Sequence, residues 1–478
     1  MSLLELSASE LVAATRAGLL TPVEVVEAYI GRIVAVNPAI NALAHERFAA
    51  ARREAAALAA TPPAARGPLF GVPVTIKDAF DVAGTRCCCG LSSRADHVPQ
   101  RDAAAVARLR EAGAIVLATT ITPDNCWAQE TVSPLFGRTR NPWDLRRSVG
   151  GSTGGEAALI ASLGSPLGLG SDIAGSIRLP AAFCGVVGLR PTSGAIPEAG
   201  FWPPSAGALA HLNAVGPLAR RVEDVALAFA VLRGAEPRPP NPELIAGARL
   251  AYWSDVGLLP SSRAVGAGVR AAARALESAG MRPVAGAPAA RRLALLGWTA
   301  CFGAAERRSV AEGFGGGVPW SPCAELARML AGQGRVSPEA LYYWLGSHLG
   351  SLLNELALQL DGARWGEELR GQLLELVGED GLVVCPVFPT TAPPHGYSYL
   401  AMLATLSYQV WVNLAGLPAL ALPVGFSGRG MPVAVQLVGA PGGEARLLAA
   451  GMVLQQALMP RWMGPAPQHG RQVLSADS

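Results

Sequence analysis

Lys77, in the stretch GVPVTIKDAF, is the single lysine among 39 lysine and arginine side chains. Guanidinium stays charged under all protein conditions, whereas a buried ammonium can shed its proton and become a neutral amine. A chain that uses arginine for every other positive charge therefore marks Lys77 as a candidate base. The other reading is an ordinary surface charge left over from an arginine-biased composition. The flanking Val72, Val74, Thr75 and Ile76 read as a short β-branched strand that would take the residue after it out of water.

Two serines downstream carry further chemistry. The segment SVGGSTGGEAALIASLGSPLGLGSDIAGSIRLPAAFCGVVGLRPTSG, Ser148 to Gly194, is too rich in glycine and serine for ordinary core. Within it, Gly150-Gly151-Ser152-Thr153-Gly154 has the spacing of a nucleophile elbow, which needs a strand before it and a helix after it. The helix is expected, with Thr153 and Glu156 as a capping box ahead of AALIASL. The strand is not, because NPWDLRRS is polar and irregular. His211, His348, His395 and His469 follow Ser152, but none sits in a setting that singles it out for a Ser-His-acid triad. In Asp172-Ile173-Ala174-Gly175-Ser176, small residues allow backbone N–H groups to turn toward one point, as an oxyanion hole requires. Ser176 is then a candidate nucleophile or, on local grounds, the N-cap of a helix over IRLPAAFCG.

The elements that would position these residues follow an α/β rhythm. Ser7 with Glu10, and Thr21 with Pro22 and Glu24, start two helices. An amphipathic helix from about 102 to 113 feeds the apolar run Ala114 to Ala118, and helices near 220–233 and from 265 to Gly280 flank the strand-like ARLAYW. ALALPVGF and MPVAVQLVG, joined by SGRG, read as paired strands before a closing helix, EARLLAAGMVLQQAL. The fold class expected is α/β, a large twisted mixed sheet covered by helices on both faces, in one domain over residues 1–478. Its core would comprise residues 60–235, which hold the lysine and both serines, and residues 380–460. Between them, residues 285–375 are less regular. There Trp298, Phe302, Phe314, Trp320, Tyr342, Tyr343, Trp344 and Trp365 either line an apolar pocket or pack an insertion onto the body.

Half of the chain is hydrophobic and 16% is charged, with a net charge of +3, and the arginines form no basic stripe, so neither nucleic acid nor a membrane surface is an expected partner. Residues 381 to 428 contain no charged side chain, yet their prolines and the polar Gln409 and Asn413 favour a buried core segment over a membrane span. The N-terminus lacks a basic leader, which makes the cytoplasm the expected location. Eight cysteines show no CxxC pair and no histidine at ligand spacing, so no metal, cofactor or disulfide framework is expected. A homodimer is left open.

Together GVPVTIKD, NPWDLRRSVGGSTGGEAALIA and SPLGLGSDIAGSIRLPAAFCGVVGLRPTSG, in that order, resemble the amidase signature family. CPVFPTTAP, NLAGLPALALPVGF and GMPVAVQLVG extend the similarity, which covers roughly residues 65 to 235 and 380 to 460. The serine block is similar to that of fatty-acid amide hydrolases. The resemblance implies a Ser-cisSer-Lys triad at Ser176, Ser152 and Lys77, with a cis peptide between Gly151 and Ser152. It also implies an oxyanion hole from the backbone of Ile173, Ala174, Gly175 and Ser176, supported by Gly151, Thr153, Asp172 and Arg178, and a substrate contact at Trp127. An apolar aryl or alkyl amide is the implied substrate, as for an amidase of the aryl acylamidase type, and a carbamate or urethane hydrolase (urethanase) with the same triad is the alternative. A glutaminase-type component of a tRNA-dependent amidotransferase is the alternative of another class. Two departures stand out: Ala174 replaces a common glycine, and Ile121 replaces a common asparagine, which is expected to alter the site wall.

Overall fold

A computed structural model describes residues 2–205, 210–256, 259–301, 314–315, 320–353, 361–462 and 464–465. Phe302 and the Tyr343 side chain, both among the aromatics noted above, lie outside the described residues.

The strands in chain order are β1 (Leu43–Glu46), β2 (Pro73–Lys77), β3 (Ile115–Thr120), β4 (Val132–Ser133), β5 (Gly137–Arg138), β6 (Leu167–Ser171) and β7 (Val187–Arg190). They continue with β8 (Val215–Ala219), β9 (Arg249–Tyr252), β10 (Arg282–Pro283), β11 (Leu382–Pro386), β12 (Ala419–Phe426) and β13 (Pro432–Gly439). An 11-stranded mixed sheet runs in the order β1-β3-β2-β6-β8-β7-β12-β13-β11-β9-β10, while β4 and β5 pair separately. β2 lies parallel to both β3 and β6, so the carboxyl ends of these three strands open on one edge of the sheet.

Side chains alternate between the faces of a strand, and here both faces are covered. On β11, Leu382 and Val384 enter one core with Leu250, Leu276 and Leu437. Val383 and Cys385 enter a second core with Trp298, Leu373 and Trp411. Helices Arg263–Ser278 and Glu444–Leu458 contribute to the first core, and Gly362–Val377 and Tyr397–Leu414 to the second. The expected α/β class, with a mixed sheet between helical layers, is the fold observed.

Local signals act largely as the sequence indicates. Ser7 and Thr21 each form a complete capping box with the glutamate three residues on. Ser427 and Met431 close the turn between the antiparallel β12 and β13. The charge-free stretch becomes β11, helix Tyr397–Leu414 and β12, with Tyr408, Val410 and Trp411 fully buried. No helix among the described residues is long and apolar enough to cross a membrane.

Two local readings fail. Thr153 precedes helix Gly154–Ala161 but makes no capping hydrogen bond, and Glu156 does not reach back to it. Every residue of that helix is buried, so Glu156 turns to the sheet and accepts from Thr75 and Thr120 at 2.7 and 2.9 Å. Nor does Ser176 cap the next helix, Arg178–Cys184. Ile177 occupies that place, and the Asp172 carboxylate takes the first N–H groups.

Close packing at the sheet centre makes a specific demand on β8. A Cβ on Gly216 would overlap the Leu189 carbonyl oxygen of β7. Gly216→Ala is expected to lower unfolding free energy by about 1 to 3 kcal/mol. Gly371→Ala, in helix Gly362–Val377 with nothing within 4 Å, should raise it by about 0.5 to 1 kcal/mol. Urea midpoints measure both, and coincident midpoints would contradict this packing.

Candidate active site

Lys77 ends β2 and Ser171 ends the neighbouring parallel β6, so strand pairing brings two distant chain positions together. Lys77 is fully buried, and its Nζ donates to Ser171 Oγ at 2.9 Å and to Ser152 Oγ at 2.7 Å. Ser152 enters from the loop before helix Gly154–Ala161, and the Gly151–Ser152 peptide is cis, as expected from the resemblance. Only glycine fits at position 151, because a Cβ there would overlap the Ala128 carbonyl oxygen. The Thr122 hydroxyl donates to the Ser152 carbonyl at 2.9 Å and holds the turn from its other side.

The loop after β6 is organised by a carboxylate. Asp172 accepts from the N–H groups of Gly175, Ile177 and Arg178 at 2.8, 3.2 and 3.3 Å and pairs with the Arg178 guanidinium at 3.0 Å. Both side chains are completely buried. Burial alone would raise the Asp172 pKa, but the Arg178 charge and hydrogen bonds, with Arg190 and Asn413, hold it well below the usual carboxylate range. Arg178 also donates to Asn413 Oδ1 at 2.6 Å, Gln436 Oε1 at 2.7 Å and the Gln409 carbonyl at 3.3 Å. Gln409 and Asn413, noted earlier only as polar interruptions of an apolar run, are thus part of the loop's support.

This arrangement bears on the backbone N–H groups of the expected oxyanion-hole segment. The Gly175 N–H is committed to Asp172, leaving those of Ile173, Ala174 and Ser176, none of which donates to a protein acceptor among the described residues. Gly175 itself has φ +96°, and a Cβ there would sit 2.5 Å from Gln409 Cγ, whereas position 174 accepts alanine. The buried Trp298 donates its indole N–H to the Ile173 carbonyl at 3.0 Å, tying the variable region to this loop.

Ser176 and Ser152 line one cavity with Ser171, Trp127, Cys126 and Phe201 among its walls. The Ser176 hydroxyl makes no hydrogen bond among the described residues. Trp127 packs edge-on against Phe314, ring centroids 6.0 Å apart, so Phe314 stands one layer behind the wall. Trp298, Trp320, Trp344 and Trp365 join the second core or its margin rather than the wall. Ile121 is also buried away from the wall, contrary to expectation.

A family model described as Amidase matches residues 24–448. The chain belongs to the amidase family. Such amidases are amide-bond hydrolases, and this one is 33% identical to fatty-acid amide hydrolase 2-A of Danio rerio over 95% of its length and 89% of the relative's. It is 35% identical to a glutamyl-tRNA(Gln) amidotransferase component of Oleidesulfovibrio alaskensis, covering 94% of this chain and 96% of that one. The structure of 6-aminohexanoate cyclic dimer hydrolase complexed with substrate superposes with a TM-score of 0.81 at 29% identity, covering 97% of this amidase and 99% of that chain.

Sequence reasoning missed three features in the residues around Lys77. Ser171 lay within the quoted serine block, but nothing local linked it to Lys77. Glu156 was read as a cap. His45, Asp78 and Cys88 come from three separate segments, and their ligand atoms lie within 4.8 Å of one another. Cys88 donates to Asp78 at 3.1 Å and stands 3.3 Å from His45 Nε2, so the group is closed by its own hydrogen bonds.

Burial pushes Glu156 up to about 8 despite the Thr75 and Thr120 hydrogen bonds and the nearby Lys77. The folded state therefore holds this proton more tightly than the unfolded chain. The resulting stabilisation is complete below the ordinary carboxyl value of 4.5 and is lost as pH rises through about 8. Glu156→Gln should gain at least about 1 kcal/mol relative to wild type between about pH 5 and pH 9, read from urea unfolding at each pH. A constant difference would show that Glu156 is ionised in the fold.

Proposed function

We propose that this amidase forms a covalent acyl-enzyme on Ser176, with Ser152 relaying protons between Ser176 and a neutral Lys77. The observation that carries this reading is the 2.7 Å contact of Lys77 Nζ with Ser152 Oγ, in a cavity that Ser176 also lines. Ser152 Oγ gives its proton to the Lys77 amine and takes one from Ser176 Oγ as the latter attacks the carbonyl carbon. Ser176 must turn toward Ser152 for this step, and catalytic hydrogen bonds commonly tighten only when substrate is bound. Backbone N–H groups of Ile173, Ala174 and Ser176 would receive the developing oxyanion, with Gly175 giving the turn its shape. Ser152 then returns a proton to the leaving amine, and water attacks the acyl-enzyme.

The substrate we assign is an apolar aryl or alkyl amide. Trp127, Phe201, Ile173, Pro203 and Pro204 supply an uncharged wall, and relatives are named for a fatty-acid amide and a 6-aminohexanoate cyclic dimer. Asn125 adds one polar contact: its Oδ1 accepts from Trp202 at 3.1 Å, and its buried Nδ2 has no partner among the described residues. The amidotransferase relative, at 35% identity, favours a second reading, release of ammonia from glutamine for a partner.

A panel of aryl amides, fatty amides, aryl carbamates and glutamine separates these readings. Aryl or fatty amides should turn over with the chain alone. Ser176→Ala and Lys77→Arg should each cut kcat by at least about a thousandfold, and acyl adduct should be found only when Ser176 is present. Wild-type rates for Lys77→Arg would exclude the neutral base. Turnover of glutamine in preference to every amide would favour the second reading.

A further inference from the structure

The wall of the Ser176 cavity contains a thiol that the amide chemistry does not use. Cys126 is half-buried and lines the cavity beside Ser152, with Thr122 Oγ1 at 3.5 Å from its sulfur. Directly behind it, Cys89 Sγ lies 3.5 Å from Cys126 Sγ, and both thiols are free. A disulfide is about 2.05 Å long, so roughly 1.5 Å of approach would close this pair. Their separation along the chain, 37 residues, gave no hint of the pairing. Of the other cysteines, 87, 88, 184, 301 and 385 are buried and Cys323 is exposed, but none of them lines the cavity.

The electrostatics distinguish the two sulfurs. Burial opposes ionisation of Cys126, but hydrogen bonds with the Cys89 thiol and the Thr122 and Ser152 hydroxyls act to lower its pKa. Cys89 is pushed the other way, chiefly by its burial. A thiol with thiolate character and an open path to solvent is the kind that oxidants select.

We propose that Cys126 is a peroxide-reactive modification site in the wall of the Ser176 cavity and that Cys89 resolves it as a disulfide. The Cys126 thiolate attacks one oxygen of hydrogen peroxide. The S–O bond forms as the O–O bond breaks, hydroxide leaves, and the sulfur is oxidised to sulfenic acid while peroxide is reduced. Cys89 sulfur then displaces the sulfenic hydroxyl, which leaves as water with the Cys89 proton, and the S–S bond forms. Drawing Cys126 toward Cys89 moves it away from Ser152 and pulls on the turn whose Thr122 hydroxyl holds the Ser152 carbonyl. Amide hydrolysis should therefore fall on oxidation and return on reduction.

The test is peptide mapping of the full chain after mild peroxide treatment, without substrate, alongside the amide assay before and after dithiothreitol. The expected result is a Cys89–Cys126 linked peptide, with at least about a tenfold loss of activity that dithiothreitol reverses. Cys89→Ser, which removes the resolving thiol from behind the wall, should instead add one or more oxygens at Cys126 and form no linked peptide. If the native protein yields no such peptide, the two thiols are simply packed together and the proposal fails. It fails equally if linked protein retains activity within about twofold of the untreated sample. Mapping reads the modification directly, so the result stands apart from whether the assigned amide is the right substrate.

Discussion

The buried Asp172–Arg178 pair is the interaction on which the site depends. Two opposite charges without solvent must be satisfied by each other and by further hydrogen bonds, or the site would not fold. Here Asp172 collects three backbone N–H groups, while Arg178 reaches Asn413, Gln436 and the Gln409 carbonyl. One ion pair thus joins the loop after β6, helix Tyr397–Leu414 and β13. It gives the 172–178 loop a single shape and leaves the Ile173, Ala174 and Ser176 N–H groups without a protein acceptor among the described residues.

The charges around Lys77 follow a related logic. Glu156 lies near Lys77, but its burial favours the protonated carboxyl and the threonines occupy its oxygens. Lys77 donates instead to two serine hydroxyls. An amine held by neutral oxygens is better suited to give and take a proton than one locked against a carboxylate. The same neighbourhood places the Cys126 thiol beside Ser152 in the cavity wall with Cys89 behind it, so chemistry other than amide cleavage becomes available there.

Much of the fold was legible because its signals are local. Capping boxes at Ser7 and Thr21 need only neighbouring residues, and the paired strands around SGRG need only a turn and matched apolar runs. The reading failed where burial overrode local preference. Thr153 and Glu156 have capping-box spacing, yet their helix is enclosed on every side and the carboxyl finds better partners in the sheet. The aromatics of the 285–375 region were equally compatible with pocket or core, and contacts across the second core hold Trp298, Phe314, Trp320, Trp344 and Trp365 in or beside it, while Tyr342 is exposed.

For the site, the sequence by itself determined which chemical groups are present: one lysine that can be neutral, two serines in glycine-rich turns, and a run of small residues able to present backbone N–H groups. Composition and spacing carry such information because residue type limits protonation and backbone freedom. Tertiary structure alone decided the partnerships, since Lys77 meets Ser171 only through the pairing of β2 with β6. Likewise Arg178 meets Gln409 and Asn413 across more than 230 positions, and Cys89 meets Cys126 through a loop packed against the cavity. Those distances follow from strand register and the packing of two cores, which no local pattern of residues encodes.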